Sequence, residues 1–173
     1  MSLTYKFLFA GPSPDLHPLL DQLVDEHLEE TPDPITEDNY FYFYESDGNF
    51  HLYYNEDNEL DAEHRKPMLL IYPHTRPRTY TLAFGEFNVV SDWYIDTNNT
   101  RNMAKADEAL ARLLRGVLTH YEGDFVCLFN GERVILYRTG GRVYLNESSD
   151  IAQEPMVSLL GLKGYELRAY EIV

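Results

Sequence analysis

The chain has 173 residues, 44% hydrophobic and 25% charged, which excludes a disordered or fibrous polymer and suits one globular domain. Its 29 acids against 14 Lys and Arg give a net charge of −15. That disfavours direct nucleic-acid binding, which needs a basic patch to neutralise phosphates. A single cysteine, Cys127, excludes an internal disulfide and a multi-cysteine zinc site.

The charge is unevenly spread. Residues 1–64 hold sixteen acids and one base, Lys6, whereas residues 65–173 hold thirteen of each. Such asymmetry marks either a solubilising surface or one that meets a basic partner. The longest early apolar run, Phe7-Leu8-Phe9-Ala10, is shorter than a signal-peptide core, and no run approaches the ~20 apolar residues of a membrane span. With one thiol, the expectation is a cytoplasmic protein.

In chain order, Tyr5 to Ala10 reads as a strand with Tyr5, Phe7 and Phe9 on one face, ended by Gly11-Pro12-Ser13-Pro14. Helical spacing of Leu16, Leu19, Leu20, Leu23, Val24 and Leu28 predicts a helix from about Asp15 to Glu30, with His17, Asp21, Asp25 and Glu29 on its wet face. Thr31-Pro32-Asp33-Pro34 stops it. Residues 40–44 and 50–54 predict a hairpin across Ser46-Asp47-Gly48-Asn49, followed by an acidic loop from Asn55 to Glu63. Strands are expected at Met68–Tyr72 and across Thr79–Val90. Met103, Ala106, Leu110, Leu113, Leu114, Val117 and Leu118 form the stripe of a second helix, capped by Thr100 or Asn102 and running to about Tyr121. Asn130-Gly131 joins two strands, Phe125–Phe129 and Arg133–Tyr137, and Gly140-Gly141 turns into Val143–Asn146. A helical turn near Met156–Leu160 and a strand over Tyr165–Ile172 complete a single α+β domain over residues 1–173, an antiparallel sheet with two main helices on one face.

Chemistry-bearing residues are scattered. His17 and Asp21 stand four apart, the spacing of a metal-binding pair, but the same pattern belongs to the wet face of an acidic helix. Asn55, Asp57, Glu59 and Asp61 alternate like calcium ligands, yet Leu60 and Lys66 stand where an EF-hand loop needs glycine and glutamate. Cys127, within Phe125-Val-Cys-Leu-Phe129, reads as a small buried hydrophobe. The other histidines form no HExxH, and no serine sits in a GxSxG elbow. Asp92 and Asp96 flank Trp93 and Tyr94, a carboxylate pair beside aromatics in a strand-to-loop segment. No catalytic activity, cofactor or metal is expected from these patterns.

The aromatic hairpin carries more. As a strand, residues 40–44 turn Phe41 and Phe43 to one face and Tyr40, Tyr42 and Tyr44 to the other. Phe50, Leu52 and Tyr54 join the Phe side; His51 and Tyr53 join the tyrosines. The result is a tyrosine face bordered by Glu45, Asp47, Glu56, Asp57 and Glu59. Tyrosine offers large contact area with few rotatable bonds, and an acidic rim speeds association with a basic partner. The competing reading is that the same domain covers that face.

Met1-x-x-x-Tyr5, the acidic first helix, the run Gly123-Asp-Phe-Val-Cys-Leu-Phe-Asn-Gly-Glu-Arg-Val-Ile-Leu-Tyr-Arg-x-Gly-Gly-Arg-Val-Tyr-Leu-Asn146 and the ending Tyr165-Glu-Leu-Arg168 together resemble bacterial immunity proteins of polymorphic-toxin systems, in particular the swarming-inhibition (Sit) immunity group. The resemblance is carried mainly by residues 123–173. It implies a small cytoplasmic protein that binds and neutralises a cognate toxin, and it transfers no binding residues. The expected function is occlusion of a basic toxin, such as a nuclease, without catalysis. The expected contacts are Tyr40, Tyr42, Tyr44, Tyr53, Asp47, Glu56, Asp57 and Glu59, with Asp92 and Trp93 as a further patch. A homo-oligomer finds no support in the sequence. The alternatives are a small-molecule or peptide binding module and, further off, a hydrolase with dispersed acids.

Overall fold

The computed structural model describes residues 3–30, 40–55, 66–97, 103–131 and 133–169. In chain order the elements are β1 (Thr4–Phe9), α1 (Leu16–Glu30), β2 (Tyr40–Ser46), β3 (Asn49–Asn55), β4 (Leu69–His74), β5 (Arg78–Leu82), β6 (Gly85–Val89), β7 (Ser91–Asp96), α2 (Met103–His120), β8 (Phe125–Phe129), β9 (Arg133–Thr139), β10 (Arg142–Asn146), α3 (Met156–Leu160) and β11 (Glu166–Arg168). Nine strands form one sheet in the order β11-β10-β9-β8-β1-β7-β4-β3-β2, while β5 and β6 pair apart from it. The chain is an α+β fold with a mostly antiparallel sheet.

β1 lies at the centre, antiparallel to both β7 and β8. Phe7 and Phe9 face the helices and join Trp93 and Phe125 in an aromatic cluster, with ring centroids 4.9–5.8 Å apart. α1 contributes Leu16, Leu19, Leu20 and Leu23, and α2 contributes Ala109, Leu110, Leu113, Leu114 and Val117, all in one apolar cluster with the sheet. Helical period thus selected the side chains that seal this face. At Gly116 a Cβ would meet Leu19 Cδ2 at 3.2 Å, so glycine lets the two helices approach closely. α3 adds Met156 and Leu160 to the same core.

The two helices are also joined by an ionic seam. His27 Nδ1 donates to Glu108 Oε2 at 2.6 Å, Lys105 Nζ reaches Glu108 Oε1 at 3.0 Å, and Arg112 bridges Glu108 and Glu30 at 3.0 and 2.8 Å. Arg115 binds Glu30 at 3.0 Å and lies 3.6 Å from Glu26. Burial alone would raise the pKa of Glu108, but the hydrogen bonds from His27, Lys105 and Arg112 prevail and hold it at about 2. Two acids of the acidic first third are therefore matched inside the fold by arginines of the neutral remainder. At the far end of α2, the buried Arg138 donates to the carbonyls of Leu118 and Gly123 at 2.7–3.1 Å and also to that of Tyr121. It satisfies helix-end acceptors that would otherwise be orphaned.

Three expectations are corrected. The stretch Thr79–Val90 is two strands that turn back through Ala83-Phe84 into Gly85, whose φ of 123° favours glycine. Residues 92–96 belong to a central strand, because Trp93 and Ile95 fill one side while β1 and β4 pair on either edge. The last strand spans Glu166–Arg168 and runs parallel to β10, and residues 170–172 of its expected span lie outside the described residues. The caps proposed at Thr100 and Asn102 and the stop at residues 31–34 lie outside the described residues.

Candidate partner-binding face

The sheet has a second face, opposite the helices, and its two ends differ. Beside β1, β8 and β9 the β5–β6 hairpin lies over it. Leu82, Phe87 and Val89 from the hairpin pack with Leu8, Val126, Leu128 and Val134 from the sheet in a separate apolar cluster. Leu8, Val126 and Leu128 are wholly buried, so β1 and β8 are buried on both sides.

At the other end stands the hairpin of β2 and β3. Asp47 and Gly48 both have positive φ, 53° and 81°, the backbone of a two-residue turn that fixes the register Ser46↔Asn49. That register places Tyr42 opposite Tyr53 and Tyr44 opposite His51. Their rings stack: Tyr42 on Tyr53 at 5.1 Å, Tyr44 on His51 at 4.6 Å and Tyr44 on Tyr53 at 5.8 Å. Tyr40 leans on Tyr42 at 5.9 Å. Phe41, Phe50 and Leu52 point the other way and are buried in the main core, with Phe43 and Tyr54 against it. The face separation expected from alternation is present.

The tyrosine ladder is half-buried to exposed. Tyr44 is 47% accessible and Tyr40 36%, while Tyr42 and Tyr53 lie between buried and exposed. The Tyr44 and Tyr53 hydroxyls are 3.3 Å apart. Burial, and then this hydrogen bond, push the Tyr53 pKa up, so the hydroxyl stays neutral at physiological pH. The face therefore offers flat aromatic area and neutral hydroxyls. Glu45 and Asp47 are exposed at its tip. Glu56, Asp57 and Glu59, like most of the candidate calcium loop, lie outside the described residues.

The face also continues further than the hairpin. Tyr72 and Tyr94 pair across β4 and β7 with rings 6.1 Å apart, and Lys6 is the next partner of Tyr94 on β1. Lys6 and Arg78 both approach the Tyr80 ring, at 5.8 and 4.9 Å. The strand-to-loop expectation for residues 92–96 hides Tyr94 from this face, and the period-two alternation of Asp92, Tyr94 and Asp96 is the signal that reveals it.

Two expected contacts are not on any surface. Trp93 is 1% accessible, stacked on Phe7 and edge-on to Phe9 in the helix-side core. Asp92 is wholly buried: its Oδ2 accepts from Arg76 Nη2 at 3.0 Å and Arg78 Nη2 at 3.3 Å, with His74 Nδ1 3.9 Å away. A buried carboxylate needs such counter-charges, and here they come from the start of the β5–β6 hairpin. Asp92 thus anchors the hairpin to the sheet. As for the remaining candidates, His17 and Asp21 are both exposed, 4.0 Å apart. Among the described residues no group of three or more His, Cys, Asp or Glu side chains is placed to hold a metal ion. Cys127 is buried, which raises its pKa well above the usual thiol value. No described helix is long and apolar enough to cross a membrane.

No curated protein and no solved structure matches the chain. A family model does, from residue 78 to residue 155, from the β5–β6 hairpin through α2 to the approach to α3. It overlaps the run at 123–146 that carries the resemblance to the Sit immunity group, extends well upstream of it, and leaves the tyrosine hairpin outside. Over residues 78–155, then, the chain is similar to the SitI3-like family.

Proposed function

We propose that the chain is a non-catalytic inhibitor that binds a basic protein toxin through the tyrosine face of β2 and β3 and blocks the toxin's working surface. The observation that carries this reading is the ladder Tyr40, Tyr42, Tyr53 and Tyr44 with His51, stacked and accessible at the end of the sheet that the β5–β6 hairpin leaves uncovered. Stacking holds the rings before a partner arrives, so little side-chain entropy is lost on binding, and aromatic anchors of this kind dominate interface energetics. The acids Glu45 and Asp47 at its tip, with the exposed row Asp21, Asp25 and Glu29 on α1, supply a field that attracts a basic partner. The SitI3-like segment supports the inhibitor class, and a nuclease is one basic toxin that would suit.

The test is capture from the native cells on the tagged chain, with washes at low and high salt and mass spectrometry of what remains. A stoichiometric basic protein, released as salt rises and lost from a Tyr42→Ala/Tyr44→Ala variant, is the expected result. Capture undiminished in that variant would remove the tyrosine face from the account.

A further inference from the structure

The nine-stranded sheet ends in two edges that are built differently. β11, at one edge, is three residues long and carries Glu166 and Arg168, whose side chains lie 3.5 Å apart. Short, charged edge strands discourage pairing with another chain. β2, at the other edge, runs for seven residues, Tyr-Phe-Tyr-Phe-Tyr-Glu-Ser, without proline or lysine. A strand of that length and composition is a template for a further strand.

The hairpin turn decides which backbone groups that edge offers. Asp47-Gly48 closes the ladder at Ser46↔Asn49, so by alternation Tyr44, Tyr42 and Tyr40 turn their N–H and C=O groups to β3. Those of Phe41, Phe43 and Glu45 point outward. Among the described residues β2 has no strand on that side, and these three residues have no backbone partner beyond it. Donors and acceptors spaced two residues apart match the backbone of an extended peptide.

The flanks of the edge define what that peptide carries. On one face stands the tyrosine ladder. On the other, α1 crosses β2, with the His17 ring 5.3 Å from Phe43 and the His27 ring 4.8 Å from Phe41. Leu19, Gln22 and Glu30 turn toward α2, meeting Gly116, His120 and Arg115. The opposite side of α1 therefore presents His17, Asp21, Val24 and Leu28 in one helical row, and Leu28 is 44% accessible. α1, β2 and β3 contain no lysine or arginine, whereas Asp21, Glu45 and Asp47 are exposed. A second copy of the chain would bring the same acids and its own net charge of −15 to the contact, which opposes self-pairing. A segment rich in lysine or arginine is favoured.

We propose that a basic extended segment of the protein partner adds to the outer edge of β2, its backbone paired with Phe41, Phe43 and Glu45. Its alternate side chains lie along the tyrosine ladder on one face and beside Asp21, Val24 and Leu28 on the other. This rests on the partner reading and states how the partner engages the tyrosine hairpin.

The first test needs no partner. The full chain, isotopically labelled, is titrated with the peptide acetyl-Lys-Val-Lys-Val-Lys-Val-Lys-amide and followed by NMR. Saturable shifts at the amides of Phe41, Phe43 and Glu45 are expected, with a dissociation constant of roughly millimolar order for so short a probe. The same peptide methylated at every backbone nitrogen keeps its charge but cannot donate to the edge, and it should bind about tenfold more weakly or less. Glu45→Pro removes an outward N–H at a position where an edge strand tolerates proline, and it should weaken binding about tenfold or more. Glu45→Gln keeps that N–H and should weaken binding by no more than about threefold. Equal binding of the methylated peptide would overturn the proposal, a result that holds even where proline disturbs the fold. So would equal losses in the two Glu45 variants, or no shift at all. Shifts at the same amides that grow with chain concentration in the absence of peptide would assign the edge to a second copy instead. In the capture experiment, a partner lost from Tyr42→Ala/Tyr44→Ala but retained by Glu45→Pro would keep the tyrosine face and remove strand addition. Failed capture with a positive titration would break the partner reading alone.

Discussion

The two ends of one sheet handle the same problem differently. At β1 and β8 the face away from the helices carries Leu8, Val126 and Leu128, and the chain supplies its own cover in the β5–β6 hairpin. At β2 and β3 the equivalent positions are Tyr40, Tyr42, Tyr44, His51 and Tyr53, which stack on one another and remain half accessible. Aliphatic side chains need burial to stabilise a fold, whereas tyrosine tolerates water at its hydroxyl and keeps a ring for a later contact. Of the covered end, β5, β6, β8 and β9 lie in the SitI3-like segment, while β1, like the tyrosine hairpin, lies outside it. One end is closed by the chain itself and the other is left accessible.

Substitutions can break that contrast. Trp93→Ala should cost about 3–5 kcal/mol in urea unfolding, the usual cost of emptying a large aromatic site, because the ring is fully enclosed by Phe7, Phe9 and their neighbours. A loss under ~1 kcal/mol would mean that Trp93 is not a core residue. Asp92→Ala should follow at about 3 kcal/mol, since it leaves Arg76 and Arg78 without the carboxylate that draws the hairpin onto the sheet. It should also increase amide exchange selectively across residues 78–89.

The ionic seam gives a pH-dependent prediction. Glu108 is depressed from 4.5 to about 2, so its contribution is complete above pH 4.5 and is lost as pH falls toward about 2. Unfolding free energies of the protein and of Glu108→Gln should differ by about 2 kcal/mol near neutrality, allowing for partial exposure, and converge near pH 2. A difference that persists at pH 2 would mean that the charge is not what the seam uses. The smallest stability effect should come from the tyrosine end. Tyr44→Ala should change stability by no more than ~1 kcal/mol, and it should weaken partner binding about tenfold or more. A loss as large as that of Trp93→Ala would place Tyr44 in the fold rather than in recognition.

Much of this was legible in the sequence because the signals are local. Leu19, Leu20 and Leu23 recur at helical period, Asp47-Gly48 and Gly140-Gly141 supply the positive φ that tight turns need, and alternating Phe and Tyr separate a buried face from a wet one. What was not legible depends on pairs distant in sequence. Asp92 reads as a surface acid until Arg76 and Arg78 fold over it. Glu26 and Glu30 count toward the acidic first third until Arg112 and Arg115 neutralise them across 85 or so positions of chain. The parallel pairing of β11 with β10 has no local signature, for it depends on the path of α3 between them.

The most direct test of the account is hydrogen–deuterium exchange on the chain alone and in complex with the protein it captures. Slower exchange across residues 40–55, with the β5–β6 hairpin at 78–89 unchanged, is the predicted outcome. Protection at 78–89 with none at 40–55 would contradict it, because the covered end of the sheet would then be the surface that the partner uses.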